Sequence, residues 1–320
     1  MRVLRTVVSI IVGLFLAPPV FAQQAGSGPV SAPVIWRDRG NISLLDLKAG
    51  SGGKGHEPGT NFKFIKESSN GTSPKFEVED ASGIKWKVKL GAEVKSETAA
   101  SRLIWAAGYF VDEDYYRPQI HVKGMPRLSR GREFVSGDTV TSVRLERERQ
   151  GEDPKDWSWY DNPFDGTREL DGLKVMMSLM NAWDLKQINN GSVNGQYGVS
   201  DLGASFGRTG NNFSRSKGVM EEYAATKFIE KITPAYVDFA MHSRPFVLSV
   251  VNFPNYRFRT KMESVVKGIP IAHARWIGYQ LGQLSAEQIR DSFRAAGFSF
   301  REVNGYTKVV MQRIAQLKKL

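Results

Sequence analysis

NAWDLKQINN, residues 181–190, sets an acid, a lysine and an amide at fixed short offsets, as Asp184, Lys186 and Asn189. It follows LDGLKVMMSLM at 170–180, in which Leu170, Leu173, Met176, Met177 and Met180 recur at helical spacing. The pattern predicts a helix that stops near Trp183, so the polar stretch starts a loop. Asp201 comes eleven residues after Asn190, in VSDLGASFG. QYGVSDLG reads as a short buried strand ending in a turn, and Gly203 permits a sharp bend there. Loops held by rigid elements are where reactive groups usually sit. Each piece alone is common. Asp184 can equally cap a turn, and Lys186 can equally be a solvated lysine.

Taken together the pieces have a chemical use. A carboxylate can take the proton of an attacking hydroxyl. An amide oxygen can ligate a hard cation such as Mg²⁺, and Asp201 can bind the same ion. An ammonium between them can neutralise charge on a transferring phosphoryl group. Phosphoryl transfer depends on such positioning and charge stabilisation rather than on covalent work. The metal ligand can be Asn189 or its neighbour Asn190; the spacing favours Asn189.

Upstream, the pattern from residue 61 is β. FKFIKE at 62–67, FEVED at 76–80 and IKWKVKL at 84–90 read as three consecutive antiparallel strands, broken by SSNGTSP at 68–74 and a tight turn at 81–83. A helix is expected over 95–107, with Ser96 as N-cap and Gly108 as stop. YYRPQIHV at 115–122 and TSVRLERE at 141–148 read as further strands. Beyond a polar, aromatic connection at 149–168, the remainder reads as helical over 218–232, 268–283, 286–296 and 304–319. Ser285 with Gln288 forms a capping box for the third of these.

Composition bounds the rest. Arg2 and Arg5, an apolar run from Val7 to Leu16 and VFA ending at Ala22 form the three parts of a secretory leader, with cleavage expected after Ala22. The short leader reads as bacterial, and the mature protein as exported, periplasmic or secreted. No later stretch is long enough to span a membrane. With no cysteine, the protein cannot use disulfides or thiolate zinc sites. Its four histidines show no metal-ligand spacing. The formal charge of +11 becomes +9 without Arg2 and Arg5, which favours acidic partners. No basic run interleaves with aromatics, so nucleic acid is not expected as a partner. Residues 23–60, rich in Gly, Ser, Pro and Ala, read as a linker and extension, with ISLLDL at 42–47 as a packed strand.

DLKQIN at 184–189 resembles the protein-kinase catalytic loop D-L-K-x-x-N, and SDLG at 200–203 resembles the kinase D-F-G turn, with Leu202 for Phe. Lys89, at the end of the third strand, resembles the V-A-I-K lysine, and Glu97 its ion-pair partner in the following helix. SETAASRL is similar to the corresponding helix of the secreted Golgi casein-kinase family and of HipA-like kinases. Trp183 stands where that loop has Arg, no His precedes it, SSNGTSP holds one glycine, and no A-P-E follows; such departures mark atypical kinase-like proteins. The residues leave some alternatives open. Lys87 shares the parity of Lys89, and a solvated lysine face fits both. Glu93 replaces Glu97 if the helix begins earlier, and Glu97 can instead complement the helix dipole. SFGRTGNN at 205–212 is either a substrate-facing segment or a plain loop. Trp157, Trp159 and Tyr160 form either a packed plug or the surroundings of an adenine ring.

The resemblance implies an α+β, two-lobed protein-kinase-like fold: a β-rich N-lobe at 61–150 and a helical C-lobe at 151–320, after a signal peptide (1–22) and linker (23–60). ATP and Mg²⁺ are the implied cofactors, and the acceptor is an unknown protein or small molecule. Lys89 would hold the α and β phosphates, Glu97 would orient Lys89, and Asn189 and Asp201 would bind Mg²⁺. Asp184 would act as base or orienter, with Lys186 supporting the transferring group. A catalytically silent kinase-like binding module of the cell envelope is the alternative, and transfer of a nucleotidyl group a third reading.

Overall fold

The computed structural model describes residues 32–149, 154–209, 215–241, 248–251 and 253–320. The leader at 1–22 and the first part of the expected linker lie outside them. Among the described residues no helix is long and apolar enough to cross a membrane.

The protein is a mixed α and β structure. Its first half holds β1 (Asn61–Ser68), β2 (Lys75–Glu79), β3 (Lys85–Leu90), α1 (Val94–Ala106), β4 (Phe110–Val111), β5 (Asp114–Lys123), β6 (Val135–Ser136) and β7 (Thr139–Arg147). The period-two alternation in these strands sorts them into two faces. In β3, Trp86 and Val88 point inward while Lys85 and Lys87 stay in solvent. The sheet runs β3-β2-β1-β5-β7-β6, and β3 also pairs with β7. Five strands therefore close on themselves as a barrel, leaving β3 bonded along both sides. The β1–β5 pair is parallel and its neighbours are antiparallel. Phe76, Val78, Trp86, Val88, Ile120 and Leu145 fill the interior. Each fully buried apolar side chain of this size contributes about 1.5–3 kcal/mol.

The second half begins with β8 (Lys155–Asp156), α2 (Arg168–Leu179), β9 (Asn190–Val193), β10 (Gln196–Val199) and α3 (Met220–Ala224). It continues with β11 (Ile229–Ile232), β12 (Tyr236–Phe239), α4 (Leu248–Val251), α5 (Phe253–Glu263), β13 (Ile269–Pro270), α6 (Ile271–Leu281), α7 (Ala286–Ala295) and α8 (Phe300–Lys318). A second hydrophobic cluster joins α1 and α2 to these later helices. Arg313 of α8 is 2% exposed. It donates to the Ser178 and Leu179 carbonyls at the end of α2, to Asn181 Oδ1, and to Thr226 Oγ1.

Several expectations need correction. Helix over 218–232 is reduced to α3, and β11 follows: Phe228, Ile229 and Ile232, ahead of Pro234, suit a strand better than a helix. Helix at 268–283 is preceded by β13. ISLLDL holds a 3₁₀ turn at Ile42–Leu44 instead of a strand. The segment from 32 to 60 is no linker. Ile35, Ile42 and Leu47 are buried in the second cluster, Trp36 Nε1 donates to the Ala107 carbonyl at 2.7 Å, and Gln288 donates to the Ile42 and Leu45 carbonyls. Its Gly and Pro content builds turns, and Ile35, Ile42 and Leu47 between them are buried while Leu44 stays exposed. Ser96 is not an N-cap; the helix starts one turn earlier, with Glu93 as its boundary residue.

Candidate active site

The Lys89 side chain is 1% exposed, whereas Lys87 lies open and pairs with Glu146 at 3.1 Å. Both lysines lie on one face of β3, and what separates them is that Glu93 and Glu97, at the start of α1, enclose Lys89. Lys89 Nζ lies 2.7 Å from Glu93 Oε2, 2.7 Å from Glu97 Oε2 and 2.5 Å from Asp201 Oδ1. A buried ammonium without such partners would cost several kcal/mol. Burial, the largest effect, favours the neutral amine. Glu97, Asp201 and Glu93 together outweigh it and the adjacent Arg144, and they hold the Lys89 pKa above the ordinary lysine value.

Both glutamates weighed in the sequence meet the lysine, one helical turn apart. Glu93 also accepts from Ser73 Oγ at 3.0 Å and pairs with Lys217. Burial opposes its ionisation, but Lys89 and Lys217 prevail and hold its carboxyl at about 2. Asp201 shows the same contest: burial raises its pKa, and Lys89 brings it below the ordinary carboxylate value. The Asp201 backbone has φ of 50°, a left-handed conformation that aims the side chain back at β3. Ser96 Oγ donates to the Gly203 carbonyl at 2.8 Å, tying α1 to this turn.

Arg144 lies directly across the β3–β7 ladder from Lys89. Like charges in that relation repel, and carboxylates interleave them. Arg144 Nε is 3.5 Å from Glu97 Oε2, and its Nη1 is 2.5 Å from Asp114 and 2.7 Å from Glu146. Asp112 borders the same network, and burial first, then the Glu146 charge, pushes its carboxyl up to about 7.

On the other wall, Asp184 Oδ2 is 2.7 Å from Lys186 Nζ and Oδ1 is 3.1 Å from Arg259 Nη1 of α5. Asn189 Nδ2 donates to the Asp184 carbonyl at 2.8 Å, which leaves its amide oxygen as an acceptor. Asn190 instead donates to the Trp157 carbonyl. Trp183 is ringed by Arg215, Lys217 and Arg259 at 4.6, 5.4 and 5.9 Å from the indole centre, a cation–π arrangement.

Lys89, Glu97, Asp184, Lys186, Asn189 and Asp201 line one cleft of about 430 Å³. The 70–73 loop borders it too, and Arg130 braces that loop through the Gly71, Thr72 and Ser68 carbonyls. Oxygen ligands are at hand: carboxylate atoms of Glu93, Glu97 and Asp201 lie within 4.8 Å of one another. Such hard donors suit Mg²⁺ better than a soft metal. Trp157 and Trp159 are buried edge to face at 4.9 Å, a packed plug. Tyr160 is exposed, and its hydroxyl donates to the Lys261 carbonyl. Ser205 and Phe206 are buried, with Phe206 against Tyr223, Phe293 and Tyr306. Positions 210–212 of that stretch lie outside the described residues.

Sequence reasoning did not find Ser73, Arg144, Lys217 or Arg259, and it misread Ser96. All act across long sequence separations, and no local pattern signals them.

No protein-family model matches the chain, and no curated protein matches it in sequence. Among solved structures it is similar to the crystal structure of a Helicobacter pylori proinflammatory kinase, CtkA. The TM-score is 0.48 and the identity 10%, over 82% of this chain and 98% of that one.

Proposed function

We propose that the chain is an exported, two-lobed kinase-like phosphotransferase that uses ATP with Mg²⁺ on an unidentified acceptor. Its lobes are 61–150 and 151–320, and the leader is cleaved after Ala22. The observation that carries this reading is the buried Lys89 ammonium, held by Glu97 and Asp201 at the edge of a cleft that also contains Asp184 and Asn189. In this reading Lys89 binds the α and β phosphates, and Glu97 keeps it charged and in place. Asn189 and Asp201 would hold Mg²⁺, whose charge would offset that of the phosphates. Asp184 takes the acceptor's proton or orients its hydroxyl, once the acceptor displaces Arg259 from one carboxylate oxygen. Lys186 supports the transferring phosphoryl group.

A silent binding module is the second reading. It is favoured by the saturation of the charges: Lys89 has three carboxylates around it, and both Asp184 oxygens have cations. Calorimetric titration of residues 23–320 with ATP, with and without Mg²⁺ and beside Asp201→Ala, separates the two. The phosphotransferase reading expects metal-dependent binding that the variant loses. A folded wild-type protein that binds no ATP refutes it and leaves the silent module.

A further inference from the structure

We infer that the chain carries a second ligand site, a cleft for a small, multiply charged oxyanion, separate from the one around Lys89. The cavity measures about 790 Å³ and shares no lining residue with the Lys89 cleft. It lies among the segment before β1, the end of α1, the β9–β10 hairpin and the outer ends of β3 and β7. Its size suits a small molecule, for which pockets of about 300–1,000 Å³ are usual.

Its charge is the telling property. Arg39, Lys85, Arg147 and Arg149 line it against two carboxylates, Glu113 and Glu148. Glu113 is taken by His56 at 2.8 Å, and Arg149 by Asp112 at 3.0 Å. Arg39, Lys85 and Arg147 form no ion pair among the described residues.

Arg39 is fixed in place all the same. Nε donates to the Trp105 carbonyl at 3.1 Å and Nη2 to the Tyr109 carbonyl at 3.0 Å. Its guanidinium lies 5.7 Å from the Trp105 ring centre. Carbonyls orient a guanidinium without neutralising it, so the charge stays available to an anion. Burial, then the neighbouring Arg37, lowers the Arg39 pKa. Arg147 sits opposite Trp86 across the β3–β7 ladder, Lys85 precedes Trp86 in β3, and both residues line the cavity where these strands end. Guanidinium groups bind phosphate and carboxylate in paired, geometrically matched hydrogen bonds. The ligand class is therefore a phosphate ester or polycarboxylate, with Trp105 as an apolar wall beside it.

The test titrates the full chain with pyrophosphate and, separately, with citrate, at low ionic strength and without divalent metal. Wild type, Arg147→Gln, Lys85→Gln/Arg147→Gln and Lys89→Met are compared, and each is checked by thermal melting. Saturable binding is expected, weakened about tenfold by Arg147→Gln and further in the double variant, both with melting unchanged; Lys89→Met melts lower but retains binding. Preference for pyrophosphate over citrate identifies the phosphate class, and similar affinity for both identifies a site that reads charge alone; either supports the inference. Absence of binding at millimolar anion overturns it. So does binding that Lys89→Met abolishes and the double variant keeps, which would put the anion in the Lys89 cleft. The inference stands apart from the proposed phosphotransfer, since no step of the test uses ATP.

Discussion

Replacing Lys89 by methionine keeps most of the stem and removes the charge. Glu93, Glu97 and Asp201 would then face one another, buried, with carboxylate oxygens within 4.8 Å. In the wild type the Glu93 carboxyl is held at about 2, against an ordinary value of 4.5. That difference is worth about 3 kcal/mol at neutral pH, divided between Lys89 and Lys217. Losing one member of a buried ion pair costs about 3–5 kcal/mol, because the remaining charge is stranded. A loss of about 3–5 kcal/mol in urea unfolding at pH 7 is therefore expected. The pH dependence gives a sharper check. A depressed carboxyl contributes stability that is complete above its unfolded value and lost as pH falls toward the folded one, so for Glu93 the wild-type loss lies below pH 4.5. In Lys89→Met, burial and mutual repulsion raise the carboxyls instead, and one takes up a proton between about pH 7 and 5. The variant should gain more stability there than the wild type, since the rise from Asp112 is common to both, narrowing the gap by about 1–2 kcal/mol. A gap under about 1 kcal/mol at pH 7 would refute the reasoning, as would a gap that widens on acidification.

Two further substitutions test the frame around the site. A Cβ on residue 203 would lie 2.5 Å from Glu93 Cβ, so Gly203→Ala should cost about 1–3 kcal/mol in thermal unfolding; an unchanged melting temperature would show that the Asp201 turn is not packed against α1. Arg313→Met should cost about 1–3 kcal/mol in urea, because the carbonyls at the end of α2 lose their donor inside the core. A cost under about 1 kcal/mol would mean that the guanidinium is dispensable.

The mixed α and β character was legible because patterns of period two and 3.6 are local. β1 to β3, α1, β5, β7, α2, α7 and α8 all stand close to where alternation or helical spacing puts them. Less legible was whatever depended on distant partners. The 32–60 segment was read by composition as a linker, yet Ile35, Ile42 and Leu47 are buried by residues far along the chain. β11 and β12 lack long alternation, and the pairing between them decides their form. At the candidate site, spacing alone could not choose Lys89 over Lys87, since a strand repeats every two residues; burial under α1 separates them. The six residues singled out from the sequence line one cleft, and their roles remain proposals. The ion-pair network through Arg144, Lys217 and Arg259 was invisible because its members come from β7, the segment before α3 and α5, with no motif to link them.

The hydrogen bonds from Gln288 to the Ile42 and Leu45 carbonyls join positions up to 246 residues apart. A chain made from its N-terminus presents the 32–60 segment first, yet α7, which completes its packing, is among the last elements to emerge. Pairings at such separation carry a large loop-closure cost and slow the final step. The early segment can meet Trp105, Ala107 and Tyr109 early, but its packing is completed only once α7 has formed.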